Sequence, residues 1–107
     1  MEDEERKAAD GAEGESVSSN GTVPLGRVLA TPGAIASIPE EERLSALARH
    51  ARGDWGDVGP EGWNENDLSL REGFRLLSAY HTESGRKFWV ITEMDRSATT
   101  ILLPDEY

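Results

Sequence analysis

Cysteine is absent from the 107 residues, which excludes a disulfide-stapled scaffold, a thiol nucleophile and a zinc–cysteine centre. No apolar run approaches the roughly 18 residues needed to span a bilayer. No sustained heptad pattern supports a coiled coil. Histidine occurs only as His50 and His81, a separation that matches no zinc-binding spacing. Asp54 and Asp57 are too few for a calcium loop. The glycines near them lack the strand before and the Lys-Ser/Thr after that mark a phosphate-cradling loop. Neither a metal nor a cofactor is expected.

Basic residues are scarce as well, with 11 Lys+Arg against 21 Asp+Glu and a net charge of −10. Phosphate backbones are held mainly by Lys and Arg, so nucleic acid is not an expected partner. The first residues are acidic where an export signal is basic and then apolar. Together with the missing cysteine this makes a cytoplasmic location, without a membrane partner, the expectation.

Large apolar residues are unevenly scarce. Of 28 V, I, L, M, F, W and Y residues, only Met1 and Val17 fall within the first 22 positions. That stretch carries seven acids and two bases. It buries too little to offset backbone ordering, about 1–2 kcal/mol per residue. Residues 1–22 therefore read as a disordered acidic tail. Residues 23–107 read as one small domain with 14 acids and nine bases.

Within that domain, residues 23–30 suggest a short edge strand, since Pro24 cannot donate to a central ladder. Ser37 followed by Glu40 fits a capping box, with Pro39 and the acids Glu40, Glu41 and Glu42 in the first turn. Leu44, Leu47, Ala48 and Ala51 form an apolar stripe, and Gly53 follows as a stop, so a helix is predicted over 39–52. Residues 53–66 hold four glycines, a proline, Trp55 and Trp63, and read as a long loop. Asn66 then caps a short helix over 67–72, ended by Gly73.

From residue 74 the period changes to two. Strands are predicted over 74–81, 87–94 and 98–103, with turns at 82–86 (Gly85 at positive φ) and 95–97. Alternation places Leu77, Ala79, Trp89, Ile91, Ile101 and Leu103 on one face, under the 39–52 helix. The expected fold is α+β: a three- to four-stranded antiparallel meander with one main helix on one face.

Two stretches carry a resemblance. They are Arg49-His50-Ala51-Arg52-Gly53-Asp54-Trp55-Gly56-Asp57 and the run from Ile91-Thr92-Glu93-Met94-Asp95-Arg96-Ser97 through Leu102-Leu103-Pro104-Asp105-Glu106-Tyr107. With Leu76-Leu77-Ser78-Ala79-Tyr80 they resemble a family of small bacterial proteins of unassigned function. Its members lie on chromosomes, plasmids and other mobile elements, and some are labelled plasmid-related or restriction-system subunits. The resemblance covers about residues 30–107 and implies no catalytic residue.

Three clusters carry chemistry-bearing side chains. The first joins Arg49, His50, Asp54 and Asp57 around Trp55, a set suited to acid–base work or to holding an anion. The same residues are ordinary at a helix C-terminus. The second is Asp95-Arg96-Ser97 with Thr99 and Thr100, where Arg96 suits a phosphate or carboxylate, although Asp and Ser are common turn residues. The third surrounds Tyr80, His81, Thr82, Arg86, Lys87 and Glu93. A ribonuclease needs a base, an acid and a phosphate stabiliser, roles open to His50 or His81, to Glu93, and to Arg96 or Arg86.

The leading expectation is a non-catalytic accessory or interaction module. It would meet another protein through the other, mixed sheet face (Leu76, Ser78, Tyr80, Val90, Thr92 and Thr100) and the Trp55/Trp63 loop, with Arg49 and Arg96 as further contacts, because loop aromatics are enriched at interfaces. A metal-independent ribonuclease or toxin-like protein is one alternative. An acidic decoy imitating DNA is the other, and it requires carboxylates ranked on one face.

Overall fold

The computed structural model describes residues 23–107, together with a backbone pairing of Ala8–Ala9 with Ala12–Glu13. The expected disorder of 1–22 otherwise lies outside the described residues. Strand β1 (Arg27–Ala30) leads into helices α1 (Pro32–Ser37), α2 (Glu40–Ala51) and α3 (Gly59–Glu72). Strands β2 (Leu76–His81), β3 (Lys87–Thr92) and β4 (Ala98–Leu102) follow, and a 3-10 turn, Pro104–Glu106, comes last.

The sheet order is β1-β4-β3-β2. Strands β2, β3 and β4 form the predicted meander, with Tyr80 opposite Phe88 and Val90 opposite Ile101. Gly85 takes φ +96° in the first turn, as expected. Strand β1 corrects the all-antiparallel expectation: it runs parallel to β4, with Val28 beside Thr99 and Ala30 beside Ile101. The chain between these two strands contains three helices, ample length for a parallel return.

The helices also differ from the sequence reading. Ser37 ends α1 instead of capping α2, whose N-cap is Pro39. Helix α1 starts on Thr31, whose hydroxyl accepts from the Ala34 amide at 3.2 Å. The expected loop over 53–66 is helical from Gly59, with Pro60 tolerated in the first turn. Asn66 lies inside α3 and is buried. Its amide nitrogen donates to the Leu77 carbonyl (2.7 Å), and its oxygen accepts from the Leu77 amide (3.1 Å).

Pairing register assigns the faces. Tyr80, Phe88, Val90 and Ile101 share the face that meets Ala34 and Ile38 of α1 and Ala46 of α2. Leu77, Ala79, Trp89 and Ile91 form the opposite face, so the expectation that α2 covers them is overturned. Ile101 sits opposite Val90, and Leu103 joins the same core, so both leave that set. The apolar stripe of α2 is displaced too. Leu44 is exposed, whereas Ala51 is buried and Leu47 packs against the core as expected, and Ala46 and His50 join them on the buried side. A second core group forms from Val23, Trp55 and Leu76, with Val58 and Leu70 packed against it.

Strand β2 is the last strand of the sheet, yet its outer edge is covered. Asn66 holds Leu77. The Ala79 amide donates to the Trp55 carbonyl (3.1 Å), and the Asp57 amide donates to the Ala79 carbonyl (2.7 Å). Replacing Asn66 with leucine leaves both Leu77 groups unpaired. It is expected to cost about 2 kcal/mol, measurable as a lower urea midpoint with an unchanged m-value.

Candidate functional site

The first sequence cluster divides at the end of α2. Arg49 turns outward. Its Nε donates to Asp54 Oδ2 at 2.8 Å and its Nη2 to Oδ1 at 3.2 Å. This two-point pair raises the Arg49 pKa and lowers that of Asp54. The guanidinium lies 4.6 Å from the centre of the Tyr80 ring, a cation–π arrangement. The Tyr80 hydroxyl donates to the Asp54 carbonyl at 2.6 Å. Burial pushes this phenol up to about 12, so it remains protonated.

Around this pair lies an open polar depression of about 470 Å³, lined by Arg49, Asp54, Gly56, Asp57, Tyr80 and His81. His81 Nε2 stands 3.9 Å from Asp57 Oδ2, and both side chains are exposed. The depression thus gathers Arg49, Tyr80 and His81 from the candidate residues.

His50 points the other way and is fully buried. Its Nδ1 is 2.6 Å from Ser78 Oγ and its Nε2 is 2.8 Å from Thr92 Oγ1. Thr92 Oγ1 lies 2.7 Å from Thr99 Oγ1, which donates to the Leu25 carbonyl at 2.7 Å. A hydroxyl has one proton to give. Thr99 gives its proton to Leu25, so Thr92 must donate to Thr99. Thr92 then accepts from His50, which places the neutral ring's proton on Nε2, and Ser78 donates to Nδ1. Burial, and after it the positive charge of Arg96, lower the His50 pKa to about 4.

Trp55 is likewise internal, which removes it from the expected contact surface. It packs edge-on against His50 at 5.5 Å between ring centres, with Nε1 donating to Asp67 at 3.1 Å. Arg96 adopts φ +62° in the turn before β4. Its guanidinium donates to the carbonyls of Phe74, Glu93 and Met94 and, through Nη2, to that of Ser69. It joins the end of α3 to the turn. Glu93 is exposed beside it. His50, His81, Glu93 and Arg96 therefore do not converge on one cleft.

A second groove, missed in the sequence, runs between α3 and the sheet face opposite α1 and α2. It measures about 360 Å³. Leu77, Ala79 and Trp89 line it together with Val58 and Gly62, and Asp57, Glu65 and Lys87 supply charge. On the same helix Trp63 is 37% exposed, and its Nε1 donates to the Gly56 carbonyl at 3.0 Å. The glycine-rich stretch conceals this helix from a periodicity reading.

Among the described residues no group of three or more His, Asp or Glu side chains is placed to hold a metal ion. No described helix is long and apolar enough to cross a membrane. The chain matches no family model, no curated protein and no solved structure.

Proposed function

We propose that the chain is a small accessory module that binds another protein in the cytoplasm, without catalysis of its own. The groove between α3 and the sheet carries this reading. It brings Leu77, Ala79 and Trp89 together with charged side chains at Asp57, Glu65 and Lys87, and Trp63 is exposed elsewhere on the same helix. A mixed polar and apolar groove beside an exposed tryptophan suits a protein interface. An accessory role also suits the resemblance to small mobile-element proteins.

The enzymatic alternative retains one support, His81 beside Asp57 in the Arg49 depression. Against it, Arg49 is already neutralised by Asp54, and His50 and Arg96 are engaged elsewhere. The decoy reading is weakened because the domain's acids are spread over α2, α3 and the turns.

Used as bait in extracts of the native host, the wild-type chain is expected to retain a stoichiometric protein partner. The Trp63→Ala/Lys87→Glu variant, folded by circular dichroism, is expected to lose about 90% or more of it, the scale of a hot-spot loss. Equal retention by both baits, or RNA cleavage that disappears with His81→Ala, would refute the proposal.

A further inference from the structure

The two edges of the sheet are treated differently. Strand β2 is covered by Asn66 and residues 55–57. Strand β1 is the opposite edge, and no described strand lies beyond it. The Arg27 amide donates to the Ser97 carbonyl (2.9 Å) and the Thr31 amide to the Ile101 carbonyl (3.0 Å). Odd-numbered residues of β1 therefore direct their backbone groups towards β4. Val28 and Ala30 direct theirs outward. Val28 and Leu29 are 45% and 39% exposed. The strand Arg-Val-Leu-Ala contains no proline or lysine of the kind that blunts an edge.

We propose that this edge pairs antiparallel with β1 of a second copy of the chain, forming a two-fold dimer that joins both four-stranded sheets into one. The register is self-complementary about Leu29. Val28 exchanges two hydrogen bonds with the partner's Ala30, and symmetry supplies two more. Leu29 faces the partner's Leu29 as a non-hydrogen-bonded pair, in which Cα atoms approach to about 4.5 Å. Arg27 then lies beside the partner's Thr31. That hydroxyl donates to the Glu106 carboxylate, which also accepts from the Gly33 amide at 3.0 Å. Each guanidinium thus meets the carboxylate anchored on the other copy, and the two Arg27 side chains stay apart. This charge match selects a second copy over an arbitrary extended peptide.

The absence of cysteine makes the register directly testable. Under mild oxidation the Leu29→Cys variant is expected to cross-link into a disulfide dimer, because facing non-hydrogen-bonded pairs meet the distance requirement. Val28→Cys, out of register with itself, is expected to cross-link about tenfold more slowly or less. Sedimentation of the unmodified chain between 10 µM and 1 mM, about the range of weak association, is expected to show dimer increasing with concentration. Val28→Pro removes only an outward amide and is expected to stay monomeric while folded. If that variant does not fold, Arg27→Glu, which opposes two carboxylates, is expected to weaken dimerisation about tenfold. A wild-type chain monomeric throughout, or equal cross-linking at positions 28 and 29, would overturn the proposal.

Discussion

Replacing His50 with leucine is expected to lower the folding free energy by about 3 kcal/mol. Leucine fills similar space but leaves Ser78 and Thr92 without their ring partner in a fully buried position. The same residue sets a pH dependence. Its ordinary value is 6.5, and in the fold it is lowered to about 4. Between these values the unfolded chain takes up a proton that the fold refuses. Stability is therefore greatest above pH 6.5 and declines as pH falls, by roughly 3 kcal/mol once below pH 4. Carboxylates such as Asp54 also lose stabilisation in acid, but they remain in the variant. Urea midpoints of both proteins from pH 7.5 to pH 4, roughly the interval in which a histidine titrates, check the point. The wild-type slope should be largely missing in His50→Leu. Parallel curves would show that the imidazole is not the titrating group.

Gly56→Ala is expected to destabilise by at least about 3 kcal/mol. Gly56 has φ +75°, and an added Cβ would come within 2.1 Å of the Ala79 carbonyl oxygen and 2.7 Å of the Tyr80 ring. Residues 55–57 would have to leave the edge of β2, breaking both backbone bonds to Ala79. Gly85→Ala is the control. It has φ +96° but open space around it, and is expected to cost only about 1 kcal/mol. Hydrogen exchange at the Ala79 amide should quicken in the first variant alone.

The elements legible in the sequence are those whose signals are local. The main helix is marked by acids at one end and Gly53 at the other, and the last three strands by their alternation and turns. What escapes depends on partners distant in sequence. Alternation has no phase across a turn, and β3 buries both Val90 and Ile91. Only the pairing of Val90 with Ile101 reveals which face meets α2. Gly59, Pro60 and Gly62 mask a helix because their helix-opposing tendencies are mild at its start. At the candidate site, proximity in sequence correctly groups Arg49, Asp54 and Asp57. It wrongly adds His50, which follows Ala46 by four positions, the spacing that places it on the buried side.

Sealing one edge of the sheet has a consequence for assembly. A building block with two sticky sides polymerises, whereas one with a single sticky side stops at a pair. Because Asn66 and residues 55–57 occupy the outward backbone groups of Leu77 and Ala79, the middle of the β2 edge is closed and pairing through β1 has no second open edge to propagate along. The cap on β2 thus acts as a chain terminator, confining association to a closed dimer and denying this acidic domain a route to fibres.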